Sequence, residues 1–173
     1  SLTVSEQYGG SGKDMMATIV TIEELASRSL GIASGYIFCA CYAGLNISEA
    51  ASEDQKQLLL PKVAQGKMLF SYGISEPDVG ADVASVHTKA VIDGDKVVIN
   101  GTKRWCSGPN VTDFIYTIVR SGPEENRYKN LSIVLIPPKS EGVTIQAQET
   151  LGQKGAGGTC DVIFEDVHVP INN

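Results

Sequence analysis

Ser75, Glu76, Asp78 and Asp82 lie close together in the run Gly73-Ile74-Ser75-Glu76-Pro77-Asp78-Val79-Gly80-Ala81-Asp82-Val83-Ala84-Ser85. A loop of this composition has two readings. It can present backbone N–H groups and a serine hydroxyl to a ligand, or it can be an ordinary turn with solvated acids. A second group follows in Asn100-Gly101-Thr102-Lys103-Arg104-Trp105-Cys106-Ser107-Gly108, where the only tryptophan of the chain comes after two cations and before small polar residues. Such an indole either stacks on a planar ligand or anchors a core.

Other chemistries are disfavoured by the residues present. Tyr8-Gly9-Gly10-Ser11-Gly12-Lys13 imitates a phosphate loop, but Asp14 follows the lysine where Ser or Thr is needed, and Gln7 stands in the first glycine's place. Gly155-Ala156-Gly157-Gly158 imitates a dinucleotide loop, but the residues after it read as a strand, so no helix N-terminus receives a pyrophosphate. The four cysteines, at 39, 41, 106 and 160, and the two histidines, His87 and His168, lack zinc-site spacing, so no metal is expected. Four reduced thiols are expected instead. The net charge of −6 argues against a nucleic-acid partner, though a local basic pocket for an anion remains compatible with it.

The elements that must position these residues fall into two textures, with the boundary near Gly66–Lys67. Residues 14–66 read as helices. Asp14 is a candidate N-cap ahead of apolar Met15, Met16, Ile19, Ile22 and Leu25. A small-residue helix is expected from about Ile32 to Ile47. A third starts near Ser52, which forms a capping box with Gln55, and Pro61 should kink or interrupt it. No stretch reaches the ~20 apolar residues of a spanning helix. The run Leu30–Leu45 is short and broken by Gly31, Gly35 and Gly44, so no membrane span is expected.

From Met68 the chain turns rich in Val, Ile, Thr, Tyr and Phe. Strands are expected at Met68–Ile74, Ser85–Ile92, Lys96–Lys103, Phe114–Arg120, Ser132–Ile136, Gly142–Gln148 and Thr159–Phe164. Tight reversals are expected at Asp93-Gly94-Asp95 and at Asn100-Gly101. The resulting fold class is α+β: N-terminal helices over 1–67, then a small antiparallel β-barrel or sandwich over 68–173.

The two motif runs together resemble those of the acyl-CoA dehydrogenase family. Gly73-Ile74-Ser75-Glu76-Pro77 leading to Gly80-Ala81-Asp82-Val83-Ala84-Ser85 is similar to its signature, and Asn100-Gly101 with Lys103, Trp105 and Ser107 is similar to its second strand motif. The likeness covers nearly the whole chain. It takes in Tyr8-Gly9-Gly10, Glu53-Asp54-Gln55-Lys56, Leu60-Pro61, Gly66, Leu151-Gly152-Gln153-Lys154 and Phe164-Glu165-Asp166-Val167-His168-Val169-Pro170.

The resemblance implies an FAD-dependent α,β-dehydrogenation of an acyl-CoA thioester. It places Tyr72, Gly73, Ile74, Ser75, Gly80, Ala81, Trp105, Cys106 and Ser107 at the flavin, and Tyr72 and Ala81 also at the substrate. The Ser75 hydroxyl and backbone N–H groups would bond the pyrimidine edge, Trp105 would pack on the ring, and Ser107 would bond near N5. Gly80 would let the backbone approach closely.

Ala81 departs from the family's Ser or Thr and lacks the hydroxyl that meets the pyrophosphate and CoA. No residue of this chain is implied as the catalytic base. The resemblance puts a Glu beyond Asn173 in that role and gives Glu76 and Asp82 structural ones. The chain is accordingly expected to be a fragment. An electron-transfer flavoprotein as partner, a homotetramer, and a bacterial cytoplasmic or mitochondrial matrix location are also implied. Alternatives on the same scaffold are an acyl-CoA oxidase or flavin monooxygenase, or a non-catalytic packing module.

Overall fold

The computed structural model describes residues 1–12, 14–123, 128–150 and 157–173. The chain divides into two compact units, Ser1–Phe70 and Ser71–Asn173.

The first unit is helical. Helix α1 (Met15–Arg28) is N-capped by Asp14, whose carboxylate accepts from Ala17 N–H at 2.9 Å. Helix α2 (Leu30–Tyr36) starts at Ser29 and runs directly into a wide π-helical stretch, Ile37–Leu45, and then α3 (Asn46–Ala50). A widened turn leaves carbonyls in need of outside donors. Within it, Ala40 O accepts from the Thr3 hydroxyl at 2.6 Å. Gly44 is required there, because a Cβ would meet Thr3 Oγ1 at 2.4 Å.

The 21-residue run Leu30–Ala50 is long and apolar enough by composition to cross a membrane, which corrects the shorter run expected from sequence. Its glycines do not end the helix. Its Ala33, Phe38, Ala40, Ala43 and Ile47 are buried, which a core helix also achieves.

Helix α4 (Glu53–Ala64) begins with the expected Ser52–Gln55 capping box. The interruption expected at Pro61 does not occur, since the proline lies inside the helix. The ring fixes φ at a helical value, so Pro61 removes one donor while the helix continues to Ala64.

The second unit is a curled mixed sheet. Its strands are β1 (Phe70–Gly73), β2 (Lys89–Asp93), β3 (Lys96–Ser107), β4 (Phe114–Arg120), β5 (Leu131–Ile136), β6 (Val143–Ala147) and β7 (Thr159–Pro170), in the order β1-β4-β2-β3-β7-β6 with β5 beside β4. The pairs β2–β3, β3–β7, β4–β5 and β6–β7 are antiparallel. A parallel pairing, Lys89 opposite Arg120, joins β2 to β4 and makes the sheet mixed. Val97, Ile99, Ile115, Ile136, Val162 and Phe164 are among the side chains of the core.

The β2–β3 hairpin turns through Gly94-Asp95, with Gly94 at φ +62°, as a type II′ turn requires at its first position. Asn100-Gly101 is a correction: it lies inside β3 rather than at a reversal. There Asn100 exchanges two 2.9 Å hydrogen bonds with Asp166, one to its backbone N–H and one to its carboxylate. That long-range pairing replaces the turn and lets β7 run on to Pro170.

Candidate functional site

Trp105 owes its position to a β-bulge. Lys103 pairs with Val162 and Cys106 with Cys160, so Arg104 and Trp105 together oppose Asp161. Strict alternation would put Trp105 on the same face as Lys103. The extra residue turns Trp105 out to 56% exposure and returns Cys106 to the buried face. Trp105 absorbs the irregularity with φ +62°. A left-handed conformation costs a residue with a Cβ ~1–2 kcal/mol, so the surrounding structure has to hold it there.

The loop after β1 is bound to this bulge by three hydrogen bonds. Arg104 N–H donates to Ser75 O at 2.8 Å. The Lys103 ammonium, with no solvent exposure, donates to Ile74 O at 3.1 Å and to Glu76 Oε1 at 2.9 Å. Glu76 is saturated in turn. Its Oε1 also accepts from the Thr88 N–H and hydroxyl, at 2.9 and 2.6 Å, and its Oε2 accepts from His87 N–H at 2.7 Å.

Burial pushes the Glu76 carboxyl upward, but the bonds from Thr88, His87 and Lys103 outweigh it and hold it below the usual range. Burial also lowers the Lys103 ammonium, against the opposing pull of Glu76. Pro77-Asp78 then makes a tight reversal, closed by Glu76 and Val79 bonding each other's backbone at 2.8 and 3.2 Å.

A second buried cation holds the far end of the loop. The Arg120 Nε donates to Val86 O at 3.0 Å, and its Nη2 donates to Ala84 O. Asp82 is engaged locally, accepting from the Ser85 hydroxyl at 2.7 Å. The stretch 77–83 is thus anchored on both sides.

The expected site residues fall into distinct environments. Tyr72 is half-buried on β1, its ring 5.5 Å from that of Tyr116, whose hydroxyl is pushed up by burial and by Tyr72. Gly73 is buried, and a Cβ there would stand 3.1 Å from Ile115 and Thr117. Ile74 and Ser75 are half-buried beside the bulge, and Gly80 and Ala81 are exposed.

Cys106 packs in the core with its thiol pushed up to about 12 by burial, so only its backbone is available to a ligand. Ser107 is half-buried at the end of β3. Ser75 and Trp105 are thereby brought together through Arg104. Residues Leu151–Ala156, which include Leu151-Gly152-Gln153-Lys154 and the first half of the Gly155–Gly158 run, lie outside the described residues.

The donor set suits a planar, polar, anionic ligand such as a flavin nucleotide. Among the described residues, nothing accepts the Ser75 N–H or hydroxyl, the Gly80 or Ala81 N–H, or the Ser107 hydroxyl. Gly80 fits the same reading. A Cβ there would meet nothing within 4 Å and its φ is unstrained, so neither packing nor conformation demands a glycine.

The model of the acyl-CoA dehydrogenase N-terminal domain matches residues 1–67, and that of the acyl-CoA dehydrogenase middle domain matches 71–167. The chain belongs to the acyl-CoA dehydrogenase family. It is 34% identical over 172 residues to the short-chain-specific acyl-CoA dehydrogenase of Clostridium acetobutylicum, covering 98% of this chain and 44% of that protein. It is 31% identical to acyl-CoA dehydrogenase FadE26 of Mycobacterium tuberculosis, covering 97% and 41%. The crystal structure of acyl-CoA dehydrogenase from Geobacillus kaustophilus superposes with a TM-score of 0.82 at 29% identity, covering 98% of this chain and 45% of that one. The chain therefore spans less than half the length of these acyl-CoA dehydrogenases.

Sequence reasoning missed the positioning role of three residues at this surface, Lys103, Arg104 and Arg120, although Lys103 lies within the resembling motif. A lysine or arginine on a strand ordinarily reads as solvent-facing. Only Arg120 carried a signal, since it continues the largely apolar strand Phe114–Arg120 beside buried Val119, whereas Lys103 and Arg104 follow polar Asn100-Gly101-Thr102.

Proposed function

We propose that this chain supplies the flavin-facing wall of an FAD-dependent acyl-CoA dehydrogenase acting on an acyl-CoA thioester. One observation carries the reading. An anchored loop with unspent donors is tied at Ser75 O to the bulge that turns an indole outward. The bound FAD would supply the two-electron acceptor for the β-hydride. Ser75 would hydrogen-bond the pyrimidine edge of the isoalloxazine through its N–H and hydroxyl, where donors favour the charge of the reduced ring. Trp105 would cover the ring, and the Ser107 hydroxyl would orient it near N5.

Tyr72 and the Ala81 N–H would face the acyl-CoA and the pyrophosphate, with Gly80 leaving space for them. Neither Glu76 nor Asp82 is free to act as base. Glu76 accepts four hydrogen bonds and Asp82 accepts from Ser85. The reading assigns α-proton removal to a Glu on a segment beyond Asn173. An electron-transfer flavoprotein as electron acceptor and a homotetrameric assembly belong to the same proposal.

The test is anaerobic titration of the FAD-loaded full-length protein with acyl-CoAs of graded chain length. Bleaching of the flavin band by one of them is the expected result. Absence of bleaching at every chain length overturns the reading. Rapid peroxide formation in air would instead place the protein with acyl-CoA oxidases or flavin monooxygenases.

A further inference from the structure

Arg104 occupies an unusual position. Its guanidinium carbon lies 4.6 Å from the centroid of the Trp105 ring, covering one face of the indole. Its Nε is also near Asp161, the residue that the bulge sets opposite both Arg104 and Trp105. The approach of Arg104 Nε to Asp161 Oδ1 is 3.7 Å, within ion-pair range but beyond a hydrogen bond. Both atoms are buried, and neither finds a hydrogen-bond partner among the described residues.

A guanidinium free to choose would close on a carboxylate to about 2.8 Å. Here it stops short of the acid and remains over the ring. Asp161 is itself held by Gln148 Nε2, which donates to Oδ2 at 3.0 Å, so the acid is not free to follow. The backbone of the same Arg104 donates to Ser75 O. One residue thus links the loop, the indole and the neighbouring strand.

We propose that Arg104 is the positioning residue of this wall: it covers one face of Trp105 and leaves the opposite face as the platform for a planar ligand. Three observations support this assignment together. Trp105 is exposed, so core packing does not fix its pose. Its backbone is left-handed, a state that needs an external hold. Among the described residues, the charged group stacked on its ring is the one whose backbone also binds the loop. The functional part of this inference rests on the flavin reading above. The structural part does not.

Trp105 is the only tryptophan, so its fluorescence reports this single ring. The experiment compares wild-type chain with Arg104→Ala, Arg104→Met, Arg104→Lys and Asp161→Asn. Acrylamide quenching and steady-state anisotropy are read without flavin, and then FAD is titrated in. Circular dichroism and thermal melting identify any variant that fails to fold. Arg104→Met keeps much of the packing volume and Asp161→Asn leaves Arg104 intact, so either can replace a misfolded alanine variant.

The expected result is stronger quenching and lower anisotropy in Arg104→Ala and Arg104→Met, with partial rescue by Arg104→Lys. FAD binding should weaken about two- to fivefold in step. An indole signal unchanged in the folded variants overturns the assignment. So does a changed indole signal with unchanged FAD affinity. If the wild-type chain and the full-length protein both bind no FAD, the flavin reading fails, and the fluorescence comparison alone decides whether Arg104 holds Trp105.

Discussion

The Lys103 ammonium and the Glu76 carboxylate meet at 2.9 Å with almost no solvent contact, at 0% and 4% side-chain exposure. Removing one member of such a pair leaves an uncompensated buried charge, at a cost of about 3–5 kcal/mol. Lys103→Met and Glu76→Gln should each destabilise the chain by roughly that amount in urea unfolding. The double variant should lose much less than the sum. A fully additive cycle would show that the pair is not coupled.

The same pair sets an acid limb in the stability curve. Glu76 is held below its ordinary value in the folded chain, so the unfolded chain binds more protons once the pH falls below about 4.3. Its contribution is therefore fully present above that pH and lost as the pH falls further through the folded-state value. The stability gap between wild type and Glu76→Gln should be constant near neutrality and shrink below about pH 4.3. A gap that widens on acidification would contradict this sign. Urea unfolding at a series of pH values measures it.

Local signals served the fold well where the chemistry was local. The Ser52–Gln55 capping box and the Gly94 turn needed only neighbouring residues, and both formed as the sequence implies. Asn100-Gly101 carried the same turn signal, yet Asn100 bonds Asp166, 66 positions away, and nothing near it in sequence announces that partner. The bulge at Arg104–Trp105 was hidden for a related reason. It exists only as a mismatch between β3 and β7, so neither strand shows it alone. The runs 73–85 and 100–108 were legible as a candidate site through resemblance. The mechanism that joins them, a lysine buried beneath the loop, was not, because burial of a cation depends on a carboxylate 27 residues earlier.

Cys106 tests how dry that face is. Burial pushes its thiol from 9.0 to about 12, so the reactive thiolate is about a thousandfold scarcer at pH 8 than for an ordinary cysteine. In native chain, alkylation by iodoacetamide should spare Cys106 and label it only after urea unfolding. Mass spectrometry of the labelled peptides checks this. Rapid native labelling of Cys106 would mean that the β3–β7 seam opens.

Two glycines separate the demands of folding from those of ligand binding. Gly101 has φ +150°, and a Cβ there would stand 2.6 Å from Thr88 Cα, the backbone of a Glu76 partner. Gly101→Ala should cost about 1–3 kcal/mol or more, as overpacking does. At Gly80 a Cβ meets nothing, so Gly80→Ala should change stability by less than about 0.5 kcal/mol. Under the proposed function, the Gly80 variant of the full-length protein should still bind FAD or acyl-CoA more weakly. Paired melting curves and ligand titrations distinguish the two.

Ala81 gives the converse experiment, a gain rather than a loss. It is exposed, and its N–H has no acceptor among the described residues, so a hydroxyl added beside it meets solvent in the free chain. Ala81→Ser should therefore leave folding stability within about 0.5 kcal/mol of wild type. If the N–H faces a pyrophosphate, the new hydroxyl adds a second donor to the same anion. One net hydrogen bond is worth about 0.5–1.5 kcal/mol, so the dissociation constant for FAD or acyl-CoA should fall by roughly two- to tenfold. Calorimetric titration of the full-length protein and its Ala81→Ser variant measures the change. Equal affinities for both ligands would remove Ala81 from the ligand-facing surface and leave Ser75, Trp105 and Ser107 to define it.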